Sequence, residues 1–492
     1  MSDGDVDPWD FLAARKSEVV GETSTPSVSG TEPEGDGLDA LASLVPQARN
    51  EKRERGTLRR EMGGKSLKRR GWPMALALAL LMLAGYLTEV VASSQMLARM
   101  GPSALLVIFP LGGITLLGIA LIQFRYIDHR ARLPMIRAVS LGYALAFSIA
   151  VALLWQSVLP VIAIGVVWLL ADQLNFLMPL LIWSLASDEF NVAESRKVYP
   201  WIVTWTYAGQ MIGLALSAIS PWVLASTNIP LTALLIIPPI VCAFIGLWLP
   251  WVLKGTPAAK GTVKLENLGE AIRGARDFVE GVPVWRHFFM ASVLTFVAGG
   301  TLYLLFLAEA ERIIGQDAGA LQVLLGFTSL GWFALCWVIQ AFGAERLQNR
   351  IGIPGVLLVL PIALLVGGVI LALGSVAGSM AVLIAGVSFW IVPRWSIDEN
   401  ARRSALALVP DERRARVSFV VDLAPIALGM IVSGPLALFG IVTGAYWVVA
   451  LAAVAIAGIA VRPSLAVRRE WEDSLLNWRL RRRKQNRALD LE

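Results

Sequence analysis

Twelve long apolar windows interrupt this 492-residue chain, and windows of that kind have few ways to fold. They run over 72–92, 102–123, 138–157, 160–186, 199–225, 229–252, 286–308, 319–343, 354–374, 379–393, 417–439 and 441–461. A helix crossing the hydrocarbon core of a bilayer needs about 20 mainly apolar residues, because it rises about 1.5 Å per residue through about 30 Å. All but the tenth window meet or approach that length. Strands of a membrane barrel would instead be about 10 residues of alternating polarity, so the windows predict helices. With 56% hydrophobic and 16% charged residues, the chain is expected to be an all-α polytopic membrane protein.

The basic residues predict its orientation. Placed on the windows, all but Arg99 and Arg312 of the 43 Lys and Arg fall on one side, in the two tails and in alternate loops. Such residues accumulate in cytoplasmic segments, so both termini are expected in the cytoplasm and the protein in a cell inner membrane. The net charge of +6 is then an orientation signal, and no nucleic acid is expected as a partner. The first apolar run begins near Trp72 behind a charged tail, where neither a secretory signal nor a transit peptide is expected.

The longest inter-window loop, Lys254 to Pro283, divides the windows six and six. The expected organisation is a disordered tail ending in a basic juxtamembrane segment (1–70), a first six-helix half (71–252), a linker with an amphipathic helix (253–285), a second half (286–462) and a basic amphipathic tail (463–492). In that last tail Trp471, Leu475 and Trp478 share a helical face and predict an interfacial helix. The N-terminal tail, with Trp9 to Ala14, is a candidate dock for a protein partner. Two six-helix halves with both termini on one side describe the major facilitator architecture.

Duplication of the halves predicts an echo. Trp183-Ser184-Leu185 precedes Asp188 and Glu194-Ser195-Arg196-Lys197-Val198, while Trp395-Ser396-Ile397-Asp398 precedes Asp411-Glu412-Arg413-Arg414. These segments, continued by Tyr199-Pro200 in the first half and by Arg394, Val409-Pro410-Asp411-Glu412 and Asp422 in the second, resemble the ATP/ADP antiporter (nucleotide transporter) family. The resemblance covers roughly 72–460 and implies a major facilitator fold, transport of a small molecule and an antiport mode. The chain departs from the family in the first window. Leu87-Thr88-Glu89-Val90-Val91-Ala92-Ser93-Ser94 holds no base where the exchangers keep a cluster for the substrate phosphates. No Lys or Arg falls near the middle of any window, which argues against a nucleoside triphosphate, whose roughly four charges need cationic partners once desolvated. Arg125, Arg137, Arg196, Lys197, Arg394 and Arg402 are expected at the cytoplasmic mouth, as topology anchors or as attractors of an anion, with Asp422 paired to a loop arginine.

Ionisable residues inside a span cost about 2.5 kcal/mol or more to insert and are functional candidates by default. Asp172 and Asn175 are three apart in the fourth window and share a helix face. Asp172 is the expected site for a coupling proton, another ion or a cationic group of the substrate, with Glu89, near the outer end of the first window, a secondary candidate; the alternative for each is an interhelical hydrogen bond. Tyr207 and Gln210 in the fifth window and Tyr303 in the seventh are candidate substrate contacts. The glycine pairs Gly112-Gly113, Gly299-Gly300 and Gly367-Gly368 are expected to let helices approach closely. Cys242 and Cys336 lie inside apolar windows and His129 and His287 beside loops, without the spacing of a metal site; no cofactor, metal or enzymatic activity is expected. The expected function is a secondary transporter with the bilayer and a small molecule as partners. The alternative is a non-transporting membrane scaffold that kept the fold.

Overall fold

The computed structural model describes residues 67–127, 132–190, 192–227, 229–253, 273, 279–406, 417 and 419–489. The N-terminal tail up to residue 66 and nearly all of the expected linker helix lie outside the described residues. Among the described residues, twelve helices are long and apolar enough to span a membrane: Leu67–Met100, Pro102–Ile119, Arg132–Trp155, Pro160–Ala186, Val198–Leu224, Leu231–Val252, Pro283–Ile314, Ala318–Phe342, Val359–Ala377, Met380–Ala405, Val420–Thr443 and Tyr446–Ser474. They are called spans one to twelve below. With an even number of spans, the start of span one and the end of span twelve lie at one end of the bundle, called the termini side, and the opposite end is the far side.

The two halves repeat one packing scheme. Span one lies along spans four, five and six, and span three along four and six; in the second half span seven lies along ten, eleven and twelve, and span nine along ten and twelve. Two seams join the halves, span two against eleven and span five against eight. Lipid tails are as apolar as leucine, so burial alone cannot drive helices together in a bilayer; close backbone approach and polar contacts must do so. Small residues supply the approach. A methyl on Gly113 would sit 2.4 Å from the Ala427 carbonyl in the first seam, and one on Gly326 would sit 2.7 Å from the Cα of Ala218 in the second. At the far side Gln322, fully buried, donates from Nε2 to the Ser217 carbonyl and to Ser220 Oγ, both at 2.8 Å. Large apolar residues on spans three, six, nine and twelve, such as Leu145, Leu247, Leu373 and Ile459, face outward where lipid tails would lie.

Three expectations are corrected. Span ten does not stop at residue 393. An α-helix over Met380–Pro393 passes through a π-helical turn, Arg394–Asp398, into a further helix, Glu399–Leu406. Its charged second part reads as a loop by hydropathy, yet the charges are satisfied by one another. Arg402 Nε contacts Asp398 at 2.5 Å, Arg394 Nη1 contacts Glu399 at 2.6 Å, and Arg403 Nε contacts Glu399 at 2.9 Å. The C-terminal helix runs unbroken from Tyr446 to Leu489, and Trp471 is 7% exposed in a cluster with Trp285, Phe288 and Val467. That residue packs into protein, where an interfacial helix would have turned it to lipid; the side chains of Leu475 and Trp478 lie outside the described residues. His287 also has a partner, with Nδ1 3.1 Å from Glu470 Oε2.

Candidate functional site: a central cavity between the halves

Eight spans enclose a cavity of about 160 Å³ on the axis between the halves. Its wall comes from spans one, two, four and five of the first half and seven, eight, ten and eleven of the second. Spans three, six, nine and twelve contribute no residue to it. Aromatic rings form much of the wall, among them Trp168 and Phe176 from span four, Tyr303 from span seven and Trp390 and Trp395 from span ten.

In the first half, helical periodicity brings the polar groups to one place. Trp168, Asp172, Asn175 and Phe176 sit at positions i, i+4, i+7 and i+8 of span four and all line the cavity. Glu89 faces them from span one, and Asn175 Nδ2 donates to Glu89 Oε2 at 2.9 Å. Asn175 is seated by a missing side chain opposite, because a methyl on Gly85 would lie 2.1 Å from Asn175 Oδ1. Asp172 has no such neighbour. Its Oδ2 is buried with no hydrogen-bond partner among the described residues. Leaving a carboxyl group unpaired in a low-dielectric interior is costly.

The second half places a base in the same cavity. Arg394, expected at the cytoplasmic mouth, is 4% exposed and lines the cavity wall. The reading that no Lys or Arg falls near the middle of any span is therefore corrected, for the physical reason that span ten continues past residue 393. Its charge is already engaged. Nη1 lies 2.6 Å from Glu399 and 3.6 Å from Asp398, Asp422 lies within electrostatic reach, and the guanidinium stacks on Phe296 and Trp395 with centroids 4.9 and 5.1 Å away. Asp422 thus neighbours an arginine of span ten, while the loop arginines expected beside it, Arg413, Arg414 and Arg416, lie outside the described residues. Arg402, also expected at the mouth, is 5% exposed inside the second half, bonded to Asp398 and, at 2.6 Å, to Ser292 Oγ.

Of the residues singled out from the sequence, Glu89, Asp172, Asn175, Tyr303 and Arg394 meet in the cavity. Gln210, 4% exposed, and Tyr207, packed against the main core, are not among the wall residues. The side chains of Arg196, Lys197 and Arg125 lie outside the described residues. Glu194 of the family-like segment is held by Arg70 at 3.1 Å, and Arg70 also holds Glu189 at 3.0 Å, which ties the start of span one to the turn between spans four and five.

The aromatic wall escaped the sequence reading. A repeated spacing could have shown it: Trp168 precedes Asp172 by four residues, as Trp390 precedes Arg394, in spans that occupy matching places in the two halves. The echo expected between Trp183 and Trp395 is displaced. Trp395 stacks on Phe176 across the cavity at 6.2 Å, whereas Trp183 packs edge-on against Tyr199, 5.2 Å away.

Twelve spans in two equivalent halves, seams between spans two and eleven and between five and eight, and a cavity walled by these four together with spans one, four, seven and ten give the chain the major facilitator fold. No family model and no curated sequence matches the chain. Among solved structures it is similar to a point mutant of the nucleoside transporter NupG, with 15% identity, TM-score 0.58 and coverage of 80% of this chain and 99% of that one. It is also similar to a POT family transporter in complex with a thioalcohol-conjugated peptide, with 10% identity, TM-score 0.58 and coverage of 81% and 96%. A bacterial homologue of the iron transporter ferroportin in an inward-facing state gives 11% identity, TM-score 0.56 and coverage of 82% and 99%. At these identities the likeness is one of fold.

Proposed function

We propose that the protein is a secondary transporter of a cell inner membrane, that both termini are cytoplasmic, and that the central cavity is its substrate site, exposed alternately by rocking of the two halves. The observation that carries the reading is the buried Asp172 carboxylate, unpartnered among the described residues, in a cavity that the two halves build jointly. Only a site shared by both halves can be opened to either side when they rock. The sidedness of the Lys and Arg residues supports the orientation. Asp172 binds the coupling ion or a cationic group of the substrate, with Glu89 and Asn175 as its neighbours.

The motifs around Glu194 and Arg394 support a distant relationship to ATP/ADP antiporters and, with it, exchange as the transport mode. A nucleoside triphosphate suits this cavity poorly. The cavity is close in size to one of about 150 Å³ that binds benzene, and the guanidinium in its wall is committed to two carboxylates. Uptake and exchange assays on the full chain in proteoliposomes test the proposal. Substrate-dependent counterflow abolished by Asp172→Asn is the expected result. Counterflow unchanged in that variant would remove Asp172 from the mechanism. A stable stoichiometric complex with another membrane protein, lacking any measurable substrate binding, would instead favour the scaffold.

A further inference from the structure

We infer, on the transporter reading above, that the substrate is a compact organic cation: an ammonium group on an aromatic or apolar body of about one ring. The inference rests on which polar groups of the cavity are still available. Several of the donors are already engaged. Trp168 Nε1 donates to Ser93 Oγ at 3.1 Å, Trp332 Nε1 to Ser388 Oγ at 2.7 Å, Asn175 Nδ2 to Glu89, and Arg394 Nη1 to Glu399. With their N–H groups tied back, the Trp168 and Trp332 indoles present ring surface to the cavity. Acceptors are in surplus. Asp172 brings a carboxylate that no donor meets among the described residues, and Glu89 meets only one amide.

The charges point the same way. Two carboxylates and one guanidinium line the wall, and the guanidinium is matched within span ten by Glu399 and Asp398, which leaves the cavity acidic. The faces of Trp168, Trp390 and Trp395 carry the negative side of the aromatic quadrupole, which attracts a cation within about 6 Å of a ring centroid. Carboxylate and rings thus select the same sign of charge, and the size of the cavity selects a small body.

The test uses the purified full-length protein and three probes of matched shape: phenethylamine, phenethyl alcohol and hydrocinnamate. Equilibrium binding is expected for the amine, at least about tenfold tighter than for the alcohol, with no binding of the carboxylate; tenfold corresponds to about 1.4 kcal/mol. Asp172→Asn is nearly isosteric and is expected to remove the preference for amine over alcohol while alcohol binding persists, which shows that the variant is folded. Asp172→Glu is expected to keep it. Tighter binding of hydrocinnamate than of the amine, or a preference for amine that survives Asp172→Asn, overturns the inference. The transport proposal fails separately. Amine binding that depends on Asp172 without counterflow in proteoliposomes retains the substrate class and removes the carrier, while counterflow of an anion or a nucleoside with no amine binding retains the carrier and removes the substrate class.

Discussion

The two halves share a packing scheme and treat buried charge in opposite ways. In the first half Asp172 is buried with no partner among the described residues, and Glu89 has only an amide. In the second half Arg394, Asp398, Glu399, Arg402 and Arg403 form a chain in which each charge meets its opposite. A closed set of this kind holds a helix in register, and an open carboxylate is available to something that comes and goes. The contrast teaches that charge inside a membrane span is not one signal but two, told apart by whether the protein supplies the counter-charge.

The most disruptive way to break the contrast is to open the closed set. Arg402→Leu leaves Asp398, which is 2% exposed, with the 3.6 Å contact to Arg394 as its remaining ion pair, and is expected to lower stability by about 3–5 kcal/mol, read as a drop in the unfolding midpoint of the purified protein. Replacing Asp398 and Arg402 together by Leu is expected to recover most of the loss. A double variant no better than the single would mean that the pair does more than cancel charge.

A smaller effect is expected from disturbing the open side without touching its charges. Gly85→Ala pushes against Asn175 and is expected to cost about 1–3 kcal/mol, against little for Gly142→Ala, where an added methyl meets nothing within 4 Å. Equal midpoints for the two variants would show that Asn175 is free to give way.

At the far-side seam, Gln322→Ala removes two hydrogen bonds and is expected to cost about 1–2 kcal/mol. It is also expected to speed thiol labelling of a cysteine placed at Ser329 in the cavity wall. An unchanged labelling rate would mean that the seam is held by helix packing alone.

The smallest stability effect is expected where the functional effect is greatest. Asp172→Asn removes a buried charge unpartnered among the described residues, so the unfolding midpoint should hold or rise while transport is lost. A marked fall would place Asp172 with the structural charges of the second half.

Much of the fold was legible because the bilayer imposes one length and one polarity on every span. The six-and-six division and the shared face of Asp172 and Asn175 could be read from apolar runs and helical spacing alone, whereas the meeting of Glu89 with Asn175 depends on how spans one and four pack. The end of span ten could not. Hydropathy treats Arg394 to Leu406 as a segment that needs water, and it has no term for charges that pair along and between helices. That one boundary hid the base in the cavity wall and moved the expected repeat out of step. Trp471 was misjudged for a related reason: an amphipathic helix reads alike whether its apolar face meets lipid or protein. The aromatic wall was missed because tryptophan is common in this chain, and only the four-residue step to a charge marks Trp168 and Trp390 as special.

The π-helical turn at Arg394–Asp398 has a consequence for how span ten can be altered. An α-helix turns about 100° per residue, so a π turn, which carries one residue more than an α turn, rotates everything beyond it by about that angle. Deleting one residue there would swing the helix after the turn against the helix before it. Either Trp390 and Arg394 would keep their places and Arg402 would lose Ser292, or the reverse. The extra residue works as an offset coupling in a shaft, letting one continuous rod present its cavity face and its ion-paired face at angles that an unbroken helix could not hold together.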